Sequence, residues 1–217
     1  MSDSVRRVEF KVFELGPIGT NAILAFDREQ GNAVVFDAPG DAFEVVNGFA
    51  QENGLKIEAL LLTHGHWDHM LDAHLFEKAG VPAYAHADDR LFFEKPEIMA
   101  SYSMPGIEFV AVEIDGWLTP RENIDYLGES WQVRHVPGHC PGSLLFYSAQ
   151  SDAAIVGDAI FAGSIGRVDL PGGDFTTLEK SIRTQIYTLP DDTTLFPGHG
   201  PKTSVRIEKA SNPYVNA

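Results

Sequence analysis

Hydrophobic positions along this chain fall into short runs separated by Gly, Pro and Asn, a pattern of strands with interspersed helices. Val8–Leu15, Asn21–Phe26 and Ala33–Phe36 are rich in β-branched and aromatic residues and read as strands. Asp41–Asn53 changes to helical spacing, with apolar residues at Phe43, Val46, Phe49 and Ala50. Asp41 is its expected N-cap and Gly54 its stop. Ile57–Leu62 is apolar on both faces at its end, as a buried central strand is, and runs directly into His64. Leu71–Lys78 reads as a helix closed by Gly80, Val81–Ala85 as a strand, and Ala87–Met99 as a helical stretch interrupted at Pro96. The second half predicts strands at Gln132–Val136, Ser143–Tyr147, Ala154–Val156 and Thr194–Phe196. A helix is expected over roughly Phe175–Thr188. Strands at both ends with helices between them suggest two packed sheets covered by helices. No repeat or linker-like run breaks the chain, so one domain over 1–217 is expected.

Composition adds little to that picture and charge adds more. Apolar residues make up 44% and charged residues 22% of the 217, the balance of an ordinary folded protein. The formal charge is −15 and no basic cluster appears, which argues against nucleic acid as a partner. No apolar run reaches the roughly 18–20 residues of a membrane span, and Met1–Phe10 lacks the apolar core of a secretory signal. Together with a single cysteine, Cys140, this gives the expectation of a cytoplasmic protein without disulfides or membrane contact.

The chemistry concentrates in Thr63-His64-Gly65-His66-Trp67-Asp68-His69. This segment follows a buried strand, where α/β architectures place ligand sites. In an extended or tightly turning loop His64 and His66 converge on one ion, while Asp68 and His69 point toward a neighbouring position. Imidazole with carboxylate suits zinc, iron or manganese rather than calcium. Three more residues repeat the arrangement of a ligand just after a strand. His139 lies in Val136-Pro-Gly-His-Cys-Pro-Gly142, Asp158 ends Ala154-Ile-Val-Gly-Asp158, and His199 lies in Phe196-Pro-Gly-His-Gly-Pro201. Pro and Gly present each imidazole from a rigid turn. Five histidines and two aspartates exceed one tetrahedral ion and suffice for two ions sharing a carboxylate.

In this order, His64-x-His66-x-Asp68-His69, His139, Asp158 and His199 resemble the metallo-β-lactamase superfamily over nearly the whole chain. Asp37 matches the family's early strand-end aspartate, which would orient the ligand loop. The resemblance implies an αββα sandwich with the site at one edge of the paired sheets. It implies that His64, His66 and His139 hold one divalent metal, that Asp68, His69 and His199 hold the other, and that Asp158 bridges. A β-lactamase of the commonest zinc type would carry Cys at position 158. Cys140, directly after His139, reads instead as a small buried residue.

Gly157–Asp174 and the ending Asn212-Pro-Tyr-Val215 resemble the short bacterial form of glyoxalase II-type enzymes. That resemblance implies hydrolysis of a thioester such as S-D-lactoylglutathione by a metal-bridging hydroxide, with Asp68 also orienting the nucleophile. Arg167 is positioned either for a bidentate contact to a glutathione carboxylate or for a salt bridge to Asp169. Larger glyoxalases II add a helical C-terminal domain, and this sequence runs only to Ala217, so a broader thioester substrate stays open. Two rival readings remain. One is a persulfide dioxygenase with a single iron on His64, His139 and Asp158; the other is a metal-binding protein without catalysis. His74, His86 and His135 are expected to be structural, and Phe43, Phe49, Phe92, Phe93 and Trp131 to be core or pocket wall.

Overall fold

The computed structural model describes residues 8–216; the expectation drawn from Met1–Phe10 falls largely outside them. The first half builds one six-stranded sheet. Strands β1 (Val8–Leu15), β2 (Thr20–Asp27) and β3 (Asn32–Phe36) form an antiparallel meander. Helix α1 (Ala42–Glu52) crosses to β4 (Lys56–Leu61), which pairs parallel with β3. A helical turn α2 (Trp67–Met70) and helix α3 (Ala73–Lys78) lead to β5 (Ala83–His86). Short α4 (Arg90–Glu94) and a tight 96–102 segment lead to β6 (Gly116–Leu118), and both strands are parallel additions. The second half builds the other sheet from β7 (Asn123–Tyr126), β8 (Glu129–His135), β9 (Leu144–Ser148) and β10 (Ala153–Gly157), all antiparallel. A small hairpin, β11 (Ile160–Phe161) and β12 (Ser164–Ile165), and helix α5 (Phe175–Ser181) follow. Strand β13 (Thr194–Pro197) then joins β10 in parallel, and β14 (Thr203–Ser204) and helix α6 (Val205–Ser211) close the described chain.

Strand alternation turns these sheets into four layers. On β2, Ala22, Leu24 and Phe26 face α1 and α3, together with Val35, Val46 and Phe76. The alternate residues Ile23 and Ala25 face the opposite sheet, against Trp131, Val133 and Phe146. The second sheet does the same: Leu145, Val156 and Leu195 turn outward onto Leu178, Ile182 and Val205 of its helical cover. Both faces of each central strand are dry, which is why these runs are continuously apolar. The αββα arrangement expected from the sequence is the one observed. Among the described residues no helix is long and apolar enough to cross a membrane.

Several local expectations need correction. Asp41 does precede α1, but its backbone is left-handed (φ 71°) and its side chain caps nothing; Asp72 Oδ2 instead accepts the Phe43 N–H at 3.0 Å. Asp68 and His69 lie on the α2 turn, not on an extended loop, because the His69 N–H bonds back to His66 O at 3.0 Å. The helix expected to 188 keeps α geometry only to Ser181, after which it widens and Tyr187 N–H reaches Ile182 O. Strands β6, β7 and β14 and helix α6 carried no clear pattern in the sequence.

Two loops that carry the candidate ligands are held together from beneath by Asp89, a residue that is 0% exposed. Its carboxylate accepts the Gly65 N–H at 2.9 Å, the Gly142 N–H at 2.6 Å and the Cys140 S–H at 3.1–3.2 Å. Such close approach requires glycine: a Cβ on Gly142 would stand 2.5 Å from Asp89 Cγ, and one on Gly65 would stand 2.8 Å from Phe92 Cβ. Replacing Asp89 by Ala strands two buried N–H groups, each worth about 1–3 kcal/mol. Thermal unfolding of Asp89→Ala is therefore expected at a clearly lower midpoint, with Asp89→Asn in between; an unchanged midpoint for Asp89→Ala would show that the two loops hold themselves.

Candidate metal centre

All seven expected ligands emerge at strand ends on one edge of the sandwich. His64 and His66 follow β4, Asp68 and His69 sit on α2, His139 follows β8, Asp158 follows β10, and His199 follows β13. Six of the seven are buried, and His199 is partly exposed at the rim. They form two adjoining groups.

In the first group three ring nitrogens make a triangle. His64 Nε2 lies 3.1 Å from His66 Nδ1 and 3.2 Å from His139 Nε2, and the third edge is 2.8 Å. A tetrahedral ion with bonds of 2.0–2.1 Å would space its ligands about 3.3 Å apart. The surroundings assign the protons of two of the three rings. His139 Nδ1 can only donate to Arg167 O at 2.7 Å. Thr63 Oγ1 donates to Asp37 Oδ2 at 2.7 Å and therefore accepts from His64 Nδ1 at 3.0 Å. Neutral His64 and His139 thus aim bare Nε2 lone pairs at one another across 3.2 Å. Burial first, and then the neighbouring histidines, push the His64 pKa well below its ordinary value; burial and then His139 take His66 down to about 3. Lone pairs facing one another in a dry site are unfavourable without a cation between them.

The second group is carboxylate-rich. His69 Nε2 lies 3.3 Å from Asp68 Oδ2 and 3.3 Å from Asp158 Oδ1, while His199 Nε2 lies 3.2 Å from Asp68 Oδ2. The outer nitrogens are again occupied: His69 Nδ1 donates to Asp37 Oδ2 at 2.7 Å and His199 Nδ1 to Gly19 O at 3.2 Å. Asp158 reaches both groups, with Oδ2 3.4 Å from His139 Nε2 and 3.5 Å from His199 Nε2. Burial works against charge here, but Asp68, Asp158 and Asp37 outweigh it and raise the His69 pKa well above normal. Burial likewise lowers His199, yet its bonds to Asp158 and Asp68 lift it to about 9. Asp68 is pushed up by burial and pulled down further by His69 and His199, to about 2. Two carboxylates thus hold positive charge beside the histidine triangle.

The residues fit divalent ions on their own chemistry. His69 Nε2 and Asp158 Oδ1, which face one another in the second group, are buried without a hydrogen bond. The backbone leaves room for them at Gly198, where a Cβ would stand 2.1 Å from Asp158 Oδ1, and at Gly166, where it would stand 2.9 Å from His139 Nδ1. Sequence reasoning picked out Asp37 as the orienting residue, and the structure gives it three donors, the third being the Thr63 N–H at 2.7 Å. It missed Asp89, Thr20 and Asn21. Thr20 Oγ1 donates to Asp68 Oδ2 at 2.7 Å, and Asn21 Nδ2 donates to Pro197 O and Gly200 O, fixing the His199 turn. Gly65 and Gly142, each near a ligand, were the available sign of a close approach; for Thr20 and Asn21 the sequence gives no sign.

The centre opens into a cavity of about 460 Å³, on whose rim Arg167 lies, paired with Asp169 through two 2.7 Å bonds. A larger groove of about 740 Å³ opens between β1 and β13 but has no histidine in its lining. Cys140 is fully buried, with burial raising its pKa well above normal. His74 lies on α3 and bonds to Leu71 O. His86 and His135 stack at 4.3 Å away from the centre, and with Asp88 they bring a further three potential ligand atoms together.

Comparison with known proteins places the chain in a family. The metallo-beta-lactamase superfamily model matches residues 15–199. Hydroxyacylglutathione hydrolase GloC of Haemophilus influenzae is 37% identical over 201 residues, covering 91% of this chain and 93% of that protein. The crystal structure of the BLEG-1 B3 metallo-beta-lactamase superposes with TM-score 0.89 at 35% identity, covering 96% of this chain and all of that one. TTHA1623, solved in a di-iron-bound form, superposes with TM-score 0.79 at 33% identity over 94% of this chain and all of that one. The chain belongs to the metallo-beta-lactamase superfamily.

Proposed function

We propose that this chain is a dinuclear metallohydrolase that cleaves thioesters. The observation that carries the reading is the protonation pattern: four ring nitrogens, Nδ1 of His64, His69, His139 and His199, are committed to acceptors. Each of those rings therefore turns Nε2 inward. His64, His66 and His139 would hold one ion, and Asp68, His69 and His199 the second, with Asp158 shared. A mononuclear iron on His64, His139 and Asp158 would leave the Asp68–His69–His199 group without a purpose, which is why a hydrolase is favoured over a dioxygenase. Divalent ions here, zinc or iron, would supply an activated water near neutral pH and polarise a carbonyl. The glutathione-thioester activity in the name of the GloC relative supports the substrate class, and its 93% coverage shows that a comparably short chain suffices for that protein.

The chain's own groups do the rest. Asp68, kept ionised beside His69 and His199 and fixed by the Thr20 hydroxyl, presents a charged oxygen beside the ligand cluster that would orient an attacking water there. Burial of the cluster excludes bulk water from its polar floor.

Metal-replete protein is expected to carry two ions per chain and to hydrolyse a thioester, with activity lost on chelation. His66→Ala and Asp158→Ala should each fall below about a hundredth of the parent rate while far-ultraviolet circular dichroism stays native; near-normal turnover in either variant would remove that residue from the reacting centre. The His199 pKa, raised from 6.5 to about 9 in the metal-free chain, gives a second test. Its protonated pairing stabilises the fold below pH 6.5, and that contribution is lost as pH rises through about 9. The metal-free unfolding midpoint should therefore fall across this window, and zinc, whose binding releases those protons, should flatten or reverse the slope. A pH-independent midpoint without metal would contradict the Asp68–His199–Asp158 pairing.

A further inference from the structure

The cavity above the ligand groups has a polar floor and an apolar rim. Ile18, Tyr102 and Met104 stand around the opening, each 46% exposed, and Phe161 and Leu170 line it half-buried. They come from separate parts of the chain: the β1–β2 turn, the 96–102 segment and the residues after it, β11, and the stretch before α5. Exposed apolar side chains scattered singly need no explanation. Three gathered at one mouth, above a buried charged floor, make a surface whose apolar area is covered when a ligand is present.

Charge points the same way. Among the described residues lining the cavity, Arg167 is the sole Lys or Arg. Its guanidinium is closed by Asp169 through Nε–Oδ1 and Nη2–Oδ2 bonds of 2.7 Å each. A substrate carboxylate at that fork would have to displace one already there, exchanging one ion pair for another with little net gain. A glutathione thioester brings two carboxylates, and a chain of net charge −15 offers them no favourable long-range field.

We infer that the thiol-side group of the substrate is uncharged and apolar, an alkyl or aryl thiol, so that the rim recognises it by burial and not by ion pairing. This rests on the thioester reading above. In the reaction, water adds its oxygen to the carbonyl carbon, the carbon–sulfur bond breaks, and sulfur leaves with the bonding pair. The products are a carboxylate, a neutral thiol and one released proton.

The test holds the acyl group constant and varies the thiol, on metal-replete full chain. S-lactoylglutathione, its dimethyl ester and the S-lactoyl derivative of benzyl mercaptan are compared. The benzyl thioester should show at least about tenfold higher kcat/KM than S-lactoylglutathione, mostly through KM. The dimethyl ester should be no worse than the free dicarboxylate. Tyr102→Ala and Met104→Ser, at half-exposed positions where the fold tolerates change, should each raise KM for the benzyl thioester several-fold, and by clearly more than for an S-methyl thioester. Calorimetry with the matching thioethers should rank binding in the same order without turnover. A dimethyl ester cleaved tenfold more slowly than S-lactoylglutathione would overturn the inference while leaving thioester hydrolysis intact, and so would a tenfold KM increase for S-lactoylglutathione in Arg167→Ala. Cleavage of none of the thioesters by protein carrying two ions would remove the thioester reading, and this inference with it.

Discussion

A single carboxylate, that of Asp37, sets the order of the whole centre. Its backbone lies in the left-handed region at φ 59°, a conformation that costs a non-glycine residue about 1 kcal/mol or more. In exchange one oxygen takes the Thr63 N–H and the other takes both the Thr63 hydroxyl and His69 Nδ1–H. The hydroxyl of Thr63 then fixes the tautomer of His64. One strained residue at the end of β3 thereby determines which nitrogen is presented inward by a histidine of each ligand group. Net gains near 1 kcal/mol for each buried hydrogen bond are enough to hold that strain in place.

Asp37 acts from one side and Asp89 from another. The first grips the segment before and after His66; the second grips the Gly65 N–H between His64 and His66 and ties it to the turn that carries His139. The second sheet is packed as tightly: Gly138 has φ 126°, and a Cβ there would stand 2.2 Å from Leu178 N. The ligand loops are therefore short, buried and over-determined, as a site that must place lone pairs within a few tenths of an ångström requires. The open rim of Ile18, Tyr102 and Met104 has no comparable network, so precision is concentrated at the floor.

Much of this was legible in the sequence because ligands sit where two simple patterns meet. His64, Asp158 and His199 each follow an apolar strand, and Pro-Gly precedes His139 and His199, so strand periodicity and turn chemistry mark the same positions. The layered fold was legible for the same reason, since β2 and β4 are buried on both faces. What was hidden depends on contacts between distant segments. Asp89 looks like a helix-start acid, yet its carboxylate turns away from α4 toward Gly142, 53 residues on. Asn21 reads as the first residue of a strand and bonds to Pro197 O, 176 residues on. Asp68 and His69 were placed on a loop because four residues are too few to show helical periodicity. Arg167 had two readings of equal standing in the sequence, and only the bidentate geometry with Asp169 shows how its guanidinium is engaged in the unliganded chain.

The candidate ligands divide between the two sheets: four come from the segment after β4, and three from turns after β8, β10 and β13. Neither half of the sandwich contains a complete pair of binding groups, because His139 completes the first and His199 the second. The centre consequently comes into being only after the sheets have closed on one another through Phe36, Trp131 and Phe146. Any ion these groups take up is therefore held by the closed sandwich and by neither half alone.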